Sequence, residues 1–129
     1  MILLCDEDVG TGVPYALDAV GYDARSLTGM GWGGKADEFW LTKAGQLGLL
    51  VLSCNKMMLK VEAERDTIVR ENVGIIYLTT GEEHPPTVLL RLLKKWQDLE
   101  LLWNTTPRPF ARFLFSNNRL STTFRDFHL

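Results

Sequence analysis

Short apolar runs alternate with longer helix-like segments along the first hundred residues of the chain. The runs predict four strands, at residues 2–5, 22–27, 49–52 and 74–78. The other segments have apolar side chains at helical spacing or are rich in charge, and they predict four helices, at residues 14–20, 36–47, 59–72 and 87–103. This alternation predicts a mainly parallel central sheet with helices on both faces, which is a three-layer α/β/α sandwich.

The helical spacing also predicts which side chains face the core. In the first two helices these are Tyr15, Leu17, Ala19, Val20, Trp40, Ala44 and Leu47. In the last helix they are Val88, Leu92, Trp96, Leu99 and Trp103. We therefore expect each of these helices to lie with one apolar face on the sheet.

The end of the chain has a different pattern. Residues 110–115 and 119–124 flank a turn at residues 116–118 that contains two asparagines. Asparagine suits the backbone conformation of tight turns, so we expect a C-terminal β-hairpin in addition to the sandwich. The chain has 129 residues and no internal repeat, which predicts a single domain over residues 1–129.

The composition and the first residues of the chain predict in which compartment the protein lies. Hydrophobic residues make up 46% and charged residues 23% of the chain, as in soluble globular proteins. No run of about 18 apolar residues is present, so we expect no membrane span. The first apolar run lacks a preceding basic segment and is followed by three acids, which argues against a signal peptide. A cytoplasmic protein is expected, in which Cys5 and Cys54 are reduced.

Charge is unevenly distributed along the chain. Residues 1–85 contain 7 Lys or Arg and 13 Asp or Glu, which gives a charge of −6. Residues 86–129 contain 7 Lys or Arg and 3 Asp or Glu, which gives +4. This asymmetry fits a metal site beside a phosphate-binding surface, and it equally fits two solvated faces without a binding role.

Acidic residues follow the first predicted strand. Asp6, Glu7 and Asp8 stand where that strand ends, and ligands of open α/β sheets collect at the carboxyl ends of the strands. Three adjacent acids repel one another, and Mg²⁺ or Mn²⁺ bound through oxygen ligands would relieve the repulsion. The alternative is an exposed acidic loop that caps the next helix.

A second acidic pair opens the second predicted helix. Asp37 and Glu38 are candidate metal ligands, although acids in a first helical turn are also favoured by the helix dipole. Asn55 follows the third strand and either offers an amide oxygen to a metal or forms a turn.

The loop before that helix is rich in glycine. Its Gly29, Gly31 and Gly34 match G-x-G-x-x-G, but the pattern follows the second strand and no acid lies about 20 residues further on. We therefore favour a loop beside the active site over a dinucleotide site. Trp32 in this loop either stacks on a base or packs against the edge of the sheet.

Several of these segments together resemble a known family. Residues 1–9, followed by Gly21-Tyr22-Asp23, resemble the "LxDENL…LGHDV" opening of small PIN-like proteins. Residues 36–41 resemble their "sDEEWL" helix start, residues 51–56 stand where they have "VVTRDR", and residues 63–65 match an "AER" motif. The resemblance covers most of the chain and is to the VapC-like toxin branch of PIN-like domains.

The resemblance implies a metal-dependent endoribonuclease with an RNA substrate, a cognate antitoxin protein and a homodimeric state. Carried over by position, Asp6 is a ligand of Mg²⁺ or Mn²⁺, Asp37 with Glu38 supplies the helix ligands, and Asn55 stands in place of a family aspartate. Glu7 matches the family's glutamate and is expected to orient a ligand or a water molecule. The bound metal would activate a water and stabilise charge on the attacked phosphate.

The sequence departs from the family at one ligand position. Asn55 carries no charge, so the site loses one unit of negative charge and with it metal affinity. A PIN-like module that binds RNA or protein without cutting it is therefore the main alternative. A small-molecule-binding α/β domain that uses the glycine loop is a third hypothesis.

Overall fold

The computed structural model describes residues 1–79 and 84–121. Its strands are β1 (Leu3–Cys5), β2 (Ala24–Ser26), β3 (Leu50–Ser53), β4 (Gly74–Leu78) and β5 (Phe110–Leu114). Its helices are α1 (Gly12–Ala19), α2 (Asp37–Leu47), α3 (Glu62–Arg70) and α4 (Pro85–Thr105). Two short 3-10 turns, Glu7–Val9 and Lys56–Leu59, follow β1 and β3.

The five strands form one parallel sheet in the order β2-β1-β3-β4-β5. Leu4 of β1 pairs with Arg25 on one side and Val51 on the other, and Val51 in turn pairs with Ile75. Because the strands are parallel, their carboxyl ends lie along one edge of the sheet. The predicted parallel α/β architecture is confirmed.

Alternating side chains of the strands build a core on each face of the sheet. On one face, Leu3, Leu50 and Leu52 pack with residues of α1 and α4 such as Leu17 and Leu92. On the other face, buried strand residues pack with α2 and α3; this core includes Leu4, Val51, Ile75, Tyr77, Trp40, Leu41 and Ile68. Both faces of β1, β3 and β4 are therefore buried, which explains their unbroken apolar sequences.

The prediction of inward-facing residues was wrong for part of two helices. Tyr15 and Val20 are 81% and 66% exposed, Ala19 is exposed, and Leu47 at the end of α2 is 58% exposed. Helix α1 instead buries Val13, Pro14 and Leu17. The helix begins at Gly12 and lies beside the edge strand β2, so only a narrow stripe of its surface meets the sheet.

Residues 110–114 have a different role from the one their pattern predicts. They form β5, which pairs in parallel with β4, rather than only the first arm of a hairpin. The chain then turns at residues 116–118 and makes a single antiparallel bridge from Leu114 to Leu120. Residues 122–124 of the predicted hairpin lie outside the described residues. Within the part of the chain that the structure describes, no helix is long and apolar enough to cross a membrane.

Candidate active site at the carboxyl edge of the sheet

Asp6 lies directly after β1, at the carboxyl edge of the sheet. Its backbone N–H donates to the carbonyl of Leu52 at 2.9 Å, which extends the pairing of β1 with β3 by one residue. Its carboxylate accepts hydrogen bonds from the Glu7 N–H at 2.7 Å and from the Ser53 hydroxyl at 2.9 Å. The side chain is therefore fixed both by the turn that it begins and by the neighbouring strand.

The surroundings of Asp6 disfavour its charge. Burial and the negative charge of Asp8 raise the pKa of Asp6 to about 6, against the opposing hydrogen bonds from Ser53 and Glu7. Asp37 adds a further negative charge nearby. Asp6 is thus a partly buried carboxylate among other acids, which is the usual environment of a functional carboxylate.

Asp8 ties the loop after β1 to the end of β3. One of its carboxylate oxygens accepts from the Cys54 N–H at 3.1 Å, and the other lies 3.4 Å from the Ser53 hydroxyl. Ser53 is fully buried, and its single proton is directed at the closer acceptor, Asp6. Asp8 therefore has a structural role in addition to its effect on Asp6. Cys5 is buried and Cys54 half-buried, and the two are not joined by a disulfide.

Asp37 is the first residue of α2, directly after the glycine loop. It lies at the same edge of the sheet as Asp6. Its carboxylate accepts a hydrogen bond from the indole N–H of Trp40 at 3.1 Å, and Trp40 is buried in the core. The negative charge of Asp37 acts on Asp6, which places the two predicted acids in one electrostatic cluster.

One acid of this cluster, Glu64, was not among the site residues predicted from the sequence. This residue lies in the first turn of α3, and its carboxyl group is hydrogen-bonded to that of Asp37. Burial, the contact with Asp37 and the charges of Glu38 and Asp6 together raise the pKa of Glu64 to about 7. Glu64 is therefore partly protonated at neutral pH, which reduces its repulsion with Asp37.

The signal for Glu64 in the sequence was weak. It stands between Glu62 and Asp66 in a charged helical segment, and nothing in its spacing separates it from these exposed neighbours. The motif of residues 63–65 contributes to the family resemblance but does not identify Glu64 as a site residue. Packing of α3 against α2 brings Glu64 to Asp37, and that packing is a tertiary feature.

Tyr77 completes the set of polar groups at this place. It lies on β4 and is fully buried, and its hydroxyl has no hydrogen-bond partner among residues 1–79 and 84–121. Burial and the negative charges of Glu64, Asp6 and Asp37 raise the pKa of Tyr77 above its ordinary value. The side chain therefore ends close to the three carboxylates.

The other predicted site residues make local contacts. Glu7 is exposed, and its carboxylate accepts from the Gly34 N–H at 2.9 Å, so it anchors the glycine loop. Asn55 accepts from the Met57 N–H at 3.2 Å and caps the 3-10 turn after β3. Glu38 lies in the first turn of α2, and its charge acts on Glu64. The electrostatic cluster thus unites Asp6, Asp37, Glu38 and Glu64, while the side chains of Glu7 and Asn55 contact backbone groups.

The backbone conformation of the glycine loop requires glycine at two positions. Gly31 and Gly34 have φ angles of 79° and 73°, which side chains other than glycine rarely adopt. Trp32 is half-buried and packs against the core on the α2 and α3 side of the sheet. This agrees with the packing alternative that the sequence left open for Trp32.

The donor chemistry of the cluster suits a hard divalent cation, because Asp6, Asp37 and Glu64 offer only oxygen. As the side chains stand, no group of three or more His, Cys, Asp and Glu residues within the described ranges is placed to hold a metal ion. Binding of Mg²⁺ or Mn²⁺ therefore requires these carboxylates to change position. The contact of Asp37 with Glu64 is what such a change would break.

The comparisons with known proteins concern the same region. The family described as PIN-like domain matches residues 1–80, which is 80 of the 129 residues. The matched segment contains the five polar groups of the site, namely Asp6, Asp37, Glu38, Glu64 and Tyr77. Neither the curated proteins nor the solved structures gave a significant match.

Proposed function

The chain belongs to the PIN-like domain family, and from this premise we propose that it is a metal-dependent endoribonuclease. The observation that carries the proposal is the convergence of three carboxylates from three separate elements. Asp6 follows β1, Asp37 begins α2 and Glu64 lies in α3, and all three act on one another electrostatically. Like charges brought together at the carboxyl edge of a parallel sheet favour a cation-binding role.

In this proposal Asp6, Asp37 and Glu64 hold Mg²⁺ or Mn²⁺, with Glu38 beside them. The cation, when bound, supplies a Lewis acid for the phosphate and lowers the pKa of a water molecule. Ser53 orients Asp6 through its hydroxyl, and Trp40 orients Asp37 through its indole N–H. These two buried donors hold the carboxylates in one orientation, as hydrogen-bond partners of metal ligands do in other metal sites.

We further propose a VapC-like toxin that acts in the cytoplasm as a homodimer and is controlled by an antitoxin protein. The sequence resemblance supports the branch. Exposed apolar residues on α4 support a protein contact: Leu90, Leu93 and Leu101 are 53%, 38% and 62% exposed, and helical periodicity places them on one face.

A binding module without catalytic activity is the second candidate. Asn55 supports it, because this residue brings no charge and its amide oxygen is already the cap of a 3-10 turn. In that case the chain would bind RNA or a protein partner equally well with and without a chelator.

The deciding experiment is cleavage of a mixed-sequence single-stranded RNA with Mn²⁺ or Mg²⁺. We expect the native chain to cut and the variants Asp6→Ala and Glu64→Gln to lose most activity, with Glu62→Gln as the matched control on an exposed position of the same helix. If only Asn55→Asp cuts, the site is a nuclease site that Asn55 has switched off. If no variant cuts and none binds metal, the binding module takes the place of the enzyme.

A further inference from the structure

A row of aromatic rings lies across the last two strands, near the carboxyl edge of the sheet. Tyr77 and Phe113 are paired across β4 and β5, and the centres of their rings are 6.1 Å apart. The ring of Phe115 follows at 6.2 Å from that of Phe113. Tyr77 is buried, whereas Phe113 and Phe115 are half-buried. The row is therefore partly accessible to solvent on the edge strand β5.

The inner end of this aromatic row adjoins the candidate active site. The carboxylate of Asp6 accepts from the Ser53 hydroxyl at 2.9 Å, and Ser53 is paired with Tyr77 across β3 and β4. Neighbouring strands lie about 4.8 Å apart, so β5 is about 10 Å from β3. A single-stranded nucleic acid that lies across this edge therefore passes from Asp6 to Phe115 within a few nucleotides.

The outer end of the aromatic row carries positive charge. The guanidinium carbon of Arg119 lies 4.4 Å from the centre of the Phe115 ring. The guanidinium of Arg91 donates to the Phe115 carbonyl at 3.4 Å, and the ammonium of Lys56 donates to the Thr79 carbonyl at 3.2 Å. Among residues 1–79 and 84–121, Arg119 and Lys56 form no ion pair. Three cations therefore lie at the carboxyl ends of β4 and β5.

The turn from Phe115 to Arg119 does not require the arginine side chain. The backbone closes this turn, because the Phe115 N–H donates to the Arg119 carbonyl and the Asn118 N–H donates to the Phe115 carbonyl, each at 2.9 Å. Arg119 is exposed, and a contact between a cation and a ring adds little stability at an exposed site. A guanidinium held flat on a ring does, however, present a plane for a base and N–H groups for a phosphate.

We propose that single-stranded RNA lies across the carboxyl ends of β4 and β5, with a base stacked on the guanidinium that Phe115 holds and with phosphates on Arg119 and Lys56. This proposal rests on the proposed function and names where its RNA substrate binds. The charge of +4 on residues 86–129 complements the phosphates. Planar stacking groups beside cations favour nucleic acid over an acidic protein, which needs the charges alone.

The test measures binding of a labelled single-stranded RNA of mixed sequence and about 12 nucleotides, by fluorescence anisotropy in EDTA, so that no divalent cation takes part. We expect Phe115→Leu to bind about ten-fold more weakly. Arg119→Gln and Lys56→Gln should each reduce the slope of log affinity against log salt concentration by about 0.7, which is the contribution of one phosphate contact. Arg119→Lys should keep the native slope and bind more weakly, because an ammonium does not stack.

Arg108→Gln is the matched control. The guanidinium carbon of Arg108 lies 3.9 Å from the centre of the Trp103 ring, and this exposed arginine precedes β5, at the opposite edge of the sheet. We expect it to bind RNA with native affinity and native slope. If Arg108→Gln and Arg119→Gln weaken binding equally, RNA responds to net charge alone and the proposed surface is wrong.

Two further outcomes would overturn the surface. One is native RNA affinity in Arg119→Lys and in a Phe115→Leu protein that melts as a folded chain. The other is displacement of the RNA by polyglutamate at equal charge concentration, which would identify a site for an acidic protein. Because Arg119 is exposed, its variants test the surface even if Phe115→Leu does not fold.

The surface and the proposed function fail in different ways. If the native chain cuts RNA with Mn²⁺ and the variants at Phe115 and Arg119 bind and cut equally well, the nuclease stands and the surface is wrong. If the native chain binds RNA in EDTA through Phe115 and Arg119 but cuts none with Mn²⁺ or Mg²⁺, the surface stands and the nuclease is wrong. If it neither binds nor cuts RNA, both are wrong.

Discussion

Asp37 at the start of α2 and Glu64 at the start of α3 meet through their carboxyl groups. The two residues are 27 positions apart, and the packing of α2 on α3 brings them together. Each helix contributes the acid from its first turn, where the helix dipole favours negative charge. The pair therefore forms where two helix N-termini and the carboxyl edge of the sheet converge, and several properties of the metal-free protein follow from it.

The first is the dependence of stability on pH. In the folded protein the pKa of Glu64 is raised to about 7 and that of Asp6 to about 6, so both hold protons that the unfolded chain releases at lower pH. Stability from this source is fully present below the ordinary carboxyl pKa and is lost as the pH rises through the folded values. We expect the melting temperature of the metal-free protein to fall from about pH 5 to about pH 8.

Two matched variants test whether Glu64 causes this dependence of stability on pH. Glu64→Gln removes one titrating group and should flatten the fall, so that the variant is more stable than the native chain at about pH 8. Glu62→Gln, on an exposed position of the same helix, should leave the pH profile unchanged. A native profile that stays flat across this range would contradict the raised pKa values of Glu64 and Asp6.

Divalent cations should reverse the loss of stability. A ligand that binds only the folded state raises its stability by about 2.7 kcal/mol when present at about one hundred times its dissociation constant. We expect Mn²⁺ to raise the melting temperature strongly at about pH 8 and weakly at about pH 5, where protons compete for the carboxylates. Thermal unfolding with and without Mn²⁺ measures this, and Asp6→Asn should abolish the shift. An equal shift in Asp6→Asn would place the cation elsewhere.

The sequence predicted the elements of the fold better than the side chains that meet between them. Asp6 and Asp37 were identifiable because each stands at the end or the start of an element that carries a clear hydrophobic pattern. Glu64 was not, since one acid among the charges of α3 has no local feature to distinguish it. Its position depends on how α3 packs against α2.

Tyr77 shows a second limit of sequence reasoning. Its setting in an apolar strand indicates a core residue, and it is one, with an exposure of 0%. Only the position of its hydroxyl relative to Glu64, Asp6 and Asp37 distinguishes it from other buried aromatic residues. Tyr15 is the opposite case: its spacing predicted an inward side chain, but the narrow contact of α1 with the sheet leaves it exposed.

Replacement of Ser53 tests whether its hydrogen bond orients the carboxylate of Asp6. Its buried hydroxyl donates to Asp6 at 2.9 Å and accepts from the Asn55 N–H at 3.0 Å, so Ser53→Ala removes two hydrogen bonds. We expect a loss of about 1–3 kcal/mol in the free energy of unfolding, measured in urea, together with weaker Mn²⁺ binding. The pKa of Asp6 should rise further, because this hydrogen bond now lowers it.

Ser26→Ala is the matched control for this variant. The Ser26 hydroxyl accepts from the Gly29 N–H at 2.9 Å, in the turn that follows β2. Its removal should cost some stability and leave Mn²⁺ binding unchanged. If both variants bound Mn²⁺ like the native chain, the hydrogen bond from Ser53 would have no role in orienting Asp6.

Gly45 controls how closely α2 approaches α3, and thus whether Asp37 reaches Glu64. A Cβ at this position would overlap with the carbonyl oxygen of Glu71 and lie 2.9 Å from its Cβ. Gly45→Ala therefore forces the helices apart, and we expect a loss of about 1–3 kcal/mol in the free energy of unfolding. Because the helices carry Asp37 and Glu64, the change should also weaken Mn²⁺ binding and flatten the pH profile of stability.

Gly12→Ala is the appropriate comparison, since a Cβ at Gly12, the first residue of α1, would meet nothing within 4 Å. This variant should be neutral or gain about 0.4–1 kcal/mol, because alanine restricts the unfolded chain more than glycine does. Urea unfolding of both variants, with and without Mn²⁺, separates general stability from the geometry of the site. A Gly45→Ala protein that loses stability but keeps native Mn²⁺ affinity would show that the cation does not depend on the approach of α2 to α3. The contact between Asp37 and Glu64 would then be a property of the metal-free protein alone.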